Sequence, residues 1–344
     1  MRFLIGFILD FGMIELVSLV LIVLNIFTFL LYAIDKRKAV KGKWRISERM
    51  LIGFTLAFGG IGALFGIRFT RHKTNRNKFR FTVVLGVMIT LVPLVHIAHG
   101  LTLAKVIRYV EVEFHSENWP AEFDGYRIAF MSDMHTIPDE SMRKIATELN
   151  KRNIDLLLLG GDFSMRNAHY EGTLREIAQI AATDGIFGIE GNHDNHERLF
   201  KAMEQHNITA LDNNGTHIKN GFYLAGVHDL WNRTPNVEAA ISGAYVDDFI
   251  LLLSHNPDVS MRQSTTGVNL ILCGHTHGGQ IAFFGYPLYL LRGSITDYGT
   301  RFAYGYNESA DGVAVFTSSG IGDYYTIPRI FTRPEVVIFT MYNK

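Results

Sequence analysis

Five short apolar runs in the second part of the chain each finish in a residue able to ligate a metal or carry a proton. RIAFMSDMH finishes in Asp133 and His135, DLLLLGGD in Asp162, and GIFGIEGNHD in Asn192, His193 and Asp194. FILLLSHNPD reaches His255, and NLILCGHTHGGQ carries His275 and His277. One DxH or HxH alone is weak evidence, because a histidine pair in a turn is more often a hydrogen-bonded corner than a ligand pair. All five in one chain, each closing a run of strand length, point to a shared site. The donors are carboxylate and carboxamide oxygens and imidazole nitrogens, without thiolate, a mixture that suits Mn, Fe or Zn. They exceed what one four-coordinate ion needs. Two divalent ions about 3.5–4 Å apart, sharing one carboxylate, would use the set in full. Such a pair activates water and neutralises phosphoryl oxygens, so the chemistry indicated is hydrolysis of a phosphate ester.

These residues need elements that bring them together. Helix-like segments at 141–152, 171–183 and 196–206 alternate with the first three runs. Alternating strand and helix predicts an α/β sheet with helices packed on it. In such sheets ligands gather beyond the carboxyl ends of the strands, which is where the polar residues stand. Asp133 and His135 sit two apart on a segment expected to be extended, so both face one side; the same holds for His275 and His277. Glycines beside them let the backbone approach the ions. Cys273 reads as a small buried strand residue, and His228 in GVHDLWN as a residue near a strand end without a site role, with lining of the pocket as the lesser alternative. NNGT (213–216) and KNGF (219–222) read as hairpin turns. Arg292, Arg301 and Arg329 fit phosphate contacts or surface pairs equally well.

The chain has 344 residues, enough for about two domains. Lys+Arg and Asp+Glu balance at 33 each, but residues 36–80 hold 13 Lys/Arg and one acid, Glu48, whereas residues 105–344 hold 19 basic and 29 acidic residues. The acidic second part argues against nucleic acid as a partner. The sole cysteine, Cys273, allows no intrachain disulfide.

Residues 16–34, 50–67 and 81–104 lack Asp, Glu, Lys and Arg. The first and third are long enough to cross a ~30 Å hydrocarbon core. The first starts too late and runs too long for a cleaved signal peptide. The loops between the runs, DKRKAVKGKWR and RFTRHKTNRNKFR, are both basic. Three full spans would put them on opposite sides and break the positive-inside rule at one. A glycine-rich second run that enters and leaves on one face would keep both inside. The first arrangement, with the first loop inside, leaves the C-terminal domain in the cytoplasm; the second carries it outward. On either, the basic loops attract anionic headgroups.

Residues of about 20–95 resemble a small bacterial membrane domain of unknown function, through Tyr32, Asp35, Lys36, Ala39, RISE (45–48), GGIGA and RHKTNRNKF (71–79). The set Asp133-x-His135, Gly161-Asp162, Gly191-Asn192-His193-Asp194, His255 and Gly274-His275-x-His277 resembles the calcineurin-like metallophosphoesterase superfamily. WPAEFDGYRIAFMSDMH, LLLSHNPD, GHTHGGQI and SSGIGDYYTIPRIFTRPE are similar to its YkuE-like and transmembrane branch, over about residues 105–342. That branch includes bacterial enzymes that cut UDP-2,3-diacylglucosamine in lipid A assembly.

The resemblance implies an α/β four-layer sandwich over residues 105–344, two central mixed β-sheets flanked by helices, preceded by an all-α transmembrane domain over residues 1–104. It implies one metal held by Asp133, His135, Asp162 and His277. It implies a second held by Asp162, Asn192, His255 and His275, with Asp162 bridging. Mn is the expected ion, with Fe or Zn as alternatives. His193 would face the leaving group and Asp194 would orient it. The sequence departs from the pattern after Asp162, where Ser164 and Met165 follow, and after His135, where Thr136 and Ile137 follow; these bear on substrate contacts. The function implied is in-line attack by a metal-bridging hydroxide on a phosphodiester or pyrophosphate. The substrate would be lipid-linked, at a bacterial inner membrane that the chain crosses more than once. A phosphodiesterase on soluble or cell-envelope substrates is the alternative enzyme, and a silent metal-binding scaffold the alternative outside catalysis. Oligomeric state is left open.

Overall fold

A computed structural model describes residues 13–74, 76–102, 105–135, 137–165, 170–283, 286–287, 295–322 and 329–344. The chain divides into two compact units, Met1–Leu103 and Ala104–Lys344.

Among the described residues of the first unit, three segments are long and apolar enough to cross a membrane, Leu16–Val40, Glu48–Thr70 and Asn77–Gly100. The first lies in helix α1 (Met13–Val40). The second is not one straight helix. Its path breaks at Ala57 (φ −82°, ψ 52°) and Phe58 (φ 63°, ψ 12°), leaving α2 (Glu48–Phe54) and α3 (Gly60–Thr70) as two arms. The third is α4 (Asn77–Leu101). Both ends of the broken run meet near the end of α1. Arg45 and Ile46 N donate to the Asp35 carboxylate at 2.7 and 3.0 Å, and His72, just past α3, lies 2.7 Å from it. Lys73 pairs with Glu48, the first residue of α2, at 2.7 Å. The run is therefore a helical hairpin.

The tip of the hairpin lies against the middle of α1 and α4. Asn25 donates to Phe58 O and accepts from Gly62 N, each at 2.8 Å, and Thr90 Oγ1 accepts from Gly60 N at 3.1 Å. The backbone groups freed by the break thus regain partners. A Cβ on Gly60 would stand 2.0 Å from Gly86 C, so this crossing needs glycine.

The second unit carries two six-stranded sheets. The first contains β1 (Arg108–Ser116), β2 (Tyr126–Met131), β3 (Leu156–Leu159), β4 (Ile186–Gly188), β5 (Thr209–Ala210) and β14 (Glu335–Asn343), in the order β1-β14-β2-β3-β4-β5. The second contains β6 (Asn214–Lys219), β7 (Phe222–Gly226), β8 (Phe249–Leu253), β9 (Leu270–Cys273), β12 (Gly305–Glu308) and β13 (Ala314–Thr317), in the order β12-β13-β9-β8-β7-β6. A separate ribbon pairs β10 (Ala282–Phe283) with β11 (Tyr286–Pro287). β2 to β5 run parallel, as do β7, β8, β9 and β13. Strands buried on both faces read as unbroken apolar runs, hence LLLL and FILLL.

Alternate residues face opposite sides of each sheet. Ile128, Phe130, Leu156 and Leu158 of the first sheet pack with Leu251, Leu253, Leu270 and Leu272 of the second. Their neighbours Ala129, Met131, Leu157 and Leu159 pack outward with residues of α5 (Asp139–Leu149), α6 (Glu171–Ile177) and α7 (His196–Gln205). Ile250, Leu252, Ile271 and Cys273 pack outward with α8 (Val237–Ile241) and α9 (Val259–Arg262). The result is the expected four layers of helix, sheet, sheet and helix. One turn differs from expectation. KNGF joins β6 to β7, but NNGT opens β6 itself, because Gly215 packs under Tyr223 and Asn213 Oδ1 ties down His228 N and Asn236 N.

Candidate metal centre

Each of β2, β3, β4, β8 and β9 delivers its polar residues past its carboxyl end, and the structure brings them to one place. His135 Nε2 lies 2.9 Å from His277 Nε2, and His277 Nε2 lies 3.4 Å from Asp133 Oδ1. Asp162 Oδ2 lies 3.7 Å from His135 Nε2 and 3.3 Å from His255 Nε2. On the far side of Asp162, Asn192 Oδ1 lies 3.2 Å from His255 Nε2 and 2.8 Å from His275 Nδ1. Two groups of donors therefore share one carboxylate oxygen. Asp133, His135, Asp162, His255, His275 and His277 are buried; Asn192 and His193 are half-buried.

The donors are aimed from behind. His255 Nδ1 donates to Gly160 O at 2.7 Å, which leaves the Nε2 lone pair facing Asp162 and Asn192. His275 Nε2 donates to Ile295 O at 3.0 Å, which leaves Nδ1 facing Asn192. This is how ligating imidazoles are held, with the second ring nitrogen fixed by an acceptor. His193 N donates to Asp162 Oδ1 at 2.8 Å, so Oδ2 is the oxygen left to both groups. Burial pushes His135 down to about 4 and His275 down to about 3, so both rings are neutral and offer lone pairs at pH 7. Burial alone would push His255 down too, but the charges of Asp162, Asp133 and Asp229 outweigh it and push it well up. The pocket thus favours positive charge at its centre. Neutral nitrogen donors around a surplus of carboxylate fit divalent cations.

The backbone differs from the sequence reading. Asp133 (φ 51°), His135 (45°), Asp162 (56°), His275 (73°) and His277 (52°) all adopt the left-handed region. The two pairs are not extended, so alternation does not aim them. Each such residue costs about 1–3 kcal/mol, held in place by its surroundings. Asp194 also behaves differently from a group that orients His193. Its carboxylate accepts backbone N–H groups from Asp162 (2.8 Å), Gly191 (2.9 Å), Phe163 (3.0 Å) and Ser164 (3.3 Å), so it clamps the loop bearing Asp162. The His193 ring stands edge-on to His135, centroids 5.4 Å apart.

Arg329 is fully buried, not a surface pair. It donates from Nε to Gly322 O at 3.0 Å and from Nη1 to His277 O at 3.4 Å, behind the His277 backbone. Arg301 is exposed and donates to Glu308 O, and Arg292 lies outside the described residues. Sequence reasoning missed Trp231 and Asn232. Trp231 is 55% exposed and edge-on to His275 at 4.5 Å, and Asn232 Nδ2 donates to Asn192 O at 2.6 Å. Both follow the strand-ending His228-Asp229 pair in GVHDLWN, which was the available signal.

Comparison with known proteins identifies the family. Residues 126–279 match the family model for calcineurin-like phosphoesterases, and residues 25–79 match one described as a protein of unknown function (DUF1294). The chain is 28% identical over 83% of its length to a transmembrane protein with metallophosphoesterase domain from Danio rerio, covering 69% of that protein. It is 28% identical over 64% of its length to the uncharacterized metallophosphoesterase YkuE of Bacillus subtilis, covering 81% of it. It is 29% identical over 63% of its length to the phosphodiesterase YaeI of Escherichia coli, covering 82% of it. Residues 126–279 thus form a calcineurin-like phosphoesterase domain, and the chain is a metal-dependent phosphoester hydrolase.

Proposed function

We propose that this protein is a membrane-anchored, two-metal phosphodiesterase whose catalytic domain faces away from the cytoplasm and acts on lipid-linked phosphodiester or pyrophosphate substrates of the cell envelope. The observation that carries the catalytic part is Asp162 Oδ2, which stands within 3.7 Å of donors from both groups. Asp133, His135, Asp162 and His277 would hold one ion, and Asp162, Asn192, His255 and His275 the other. Two such ions, with Mn the expected metal, supply an activated water and neutralise phosphoryl charge. Asp162 holds the two positions at a fixed separation while its other oxygen is pinned by His193 N. Asp194 keeps the Asp162 loop in register through its four amide contacts. The His193 side chain, half-buried beside His135, is placed to give a proton to the departing oxygen.

The hairpin supports the outward side. Ten residues separate Asp35, where both arms end, from Asn25, at the tip, or ~15 Å along α1. That is about half of a ~30 Å hydrocarbon core. A hairpin reaching the midplane with its backbone shielded by Asn25 and Thr90 is a tolerated re-entrant form. Both basic loops then share one face, which the positive-inside rule assigns to the cytoplasm of a bacterial inner membrane. α4 runs from that face to the other, and the chain leaving it emerges outside.

Two measurements test this. Cys273 is buried, and burial pushes its thiol far up, so it stays silent to maleimides. In spheroplasts an impermeant maleimide should label Val246→Cys, at a position 99% exposed, and label Lys41→Cys only after permeabilisation. The reverse pattern would put the site in the cytoplasm and favour UDP-2,3-diacylglucosamine. Detergent-purified protein with Mn²⁺ should cut a bis-aryl phosphodiester, with Asp162→Ala inactive. No turnover by the metal-loaded wild type would sink the enzyme reading.

A further inference from the structure

Beside the centre described above lies a second cluster of metal-ligand types that the mechanism does not use. Glu190 ends the run before GNHD, His196 opens α7, His228 follows β7, and Asp212 follows β5. The Glu190 carboxylate is buried. Its two oxygens meet His196 Nδ1 at 2.9 Å and His228 Nδ1 at 3.0 Å. The opposite nitrogens of both rings turn to Asp212, with His228 Nε2 at 2.8 Å and His196 Nε2 at 3.6 Å. Arg233 Nε lies 3.8 Å from Glu190 on the exposed side.

The donor count on this cluster does not close with neutral rings. A neutral imidazole has one N–H, and carboxylates only accept. His228 faces carboxylate oxygens with both nitrogens at hydrogen-bonding distance. One of its nitrogens therefore meets an acceptor with a lone pair unless the ring is protonated or a metal ion stands between them. The two sides differ in a telling way. Three donor groups converge at Glu190, whose ligand atoms lie within 4.8 Å of one another. Asp212 backs both rings from behind, as a carboxylate does when it orients metal-bound histidine.

We infer that Glu190, His196 and His228 form a third metal site, for a single divalent ion of the zinc class, with Asp212 as the carboxylate that orients both histidines. Two imidazoles and a carboxylate with a fourth position open is a known coordination set for that ion. The site adjoins the second ion's binding loop. Glu190 is joined to Asn192 through Gly191, and Asn232, four residues past His228, donates to Asn192 O. The third ion would brace the loop that presents Asn192.

Metal content of the detergent-purified full chain, saturated with Zn²⁺ and freed of loose metal, tests this. Wild type should hold three equivalents. His228→Ala should hold two, and Asp162→Ala should keep the third-site ion while losing metal from the two-metal centre. Asp212→Asn keeps every ligand and should weaken the third site by about 10–100-fold. Thermal unfolding of His228→Ala, followed beside that of Asp212→Asn, separates loss of metal at the site from loss by misfolding. Two equivalents in wild type, unchanged in His228→Ala, would overturn the third site while leaving the two-metal reading intact. A content unchanged by Asp162→Ala would instead overturn the two-metal reading. Equal third-site affinity in Asp212→Asn and wild type would overturn the role given to Asp212.

Discussion

Gly274, between Cys273 and His275, offers a sharp test of how the centre is built. A Cβ placed on it would stand 1.9 Å from Ser132 Oγ, 2.8 Å from Ser132 Cβ and 2.4 Å from Asp133 Oδ2, all closer than real Cβ contacts come. Rotating Ser132 relieves only the first of these. Asp133 is itself fixed, since both its oxygens accept from His275 N at 3.0 Å. Gly274→Ala must therefore displace the Asp133 carboxylate relative to His277 and His135, by an amount on the order of 1 Å. Misplacement of that order at a reacting centre costs about 10²-fold in rate, or about 2.7 kcal/mol in activation free energy. The assay is turnover of a bis-aryl phosphodiester at saturating Mn²⁺, with metal content measured on the same samples. Ser132→Ala in the Gly274→Ala background should restore little, because the Asp133 clash remains. A Gly274→Ala enzyme with wild-type rate and full metal content would refute the reasoning.

Two further outcomes are expected. His193→Ala should keep its metals and lose about 10²–10⁴-fold in rate, more on alkyl than on aryl leaving groups; an equal loss on both would remove the proton-donor role. Asn25→Leu deletes the two hydrogen bonds that Asn25 makes at the hairpin tip and leaves that of Thr90, and at about 0.6–1.7 kcal/mol per bond within a membrane it should cost about 1–3 kcal/mol. Unfolding in graded SDS measures that loss, and an unchanged midpoint would mean that other groups hold the break.

The centre was legible in the sequence because of where its residues stand. LLLL before GGD and LILC before GHTH are strands buried on both faces, and an open sheet of that kind collects polar residues at its carboxyl ends. What the sequence hid was how the ligands are aimed. Five of them leave the sheet in the left-handed region, which Asp and His adopt more readily than most residues but still only as a minority conformation, and tertiary contacts sustain it there. The clamp formed by Asp194 was hidden for a related reason, since its partners are backbone amides and leave no mark on residue type. Glu190, His196 and Asp212 escaped, and His228 was noticed only alone, because the four come from separate segments and none repeats a recognisable spacing. In the first unit, a glycine-rich run free of charge reads equally as a span or a hairpin. The difference lies in Asn25 and Thr90, polar residues on other helices that receive the broken backbone.

The hairpin also changes what the basic loops are for. Lysines and arginines beside a bilayer gather anionic headgroups, and a substrate funnel is the first role they suggest. With both ends of the broken run joined at Asp35 and Glu48, those loops lie together on the face that α4 leaves. If the active site faces outward, as proposed, a funnel on that face would concentrate substrate in the wrong leaflet. On the proposed topology the loops serve better as the determinant of orientation, which would hold one face of the first unit in the cytoplasm. Removing their charges should then invert or scramble topology before it alters the KM of correctly inserted enzyme. Charge-neutral loops that leave topology intact and raise KM for an anionic lipid would restore the funnel and place the active site on the cytoplasmic side.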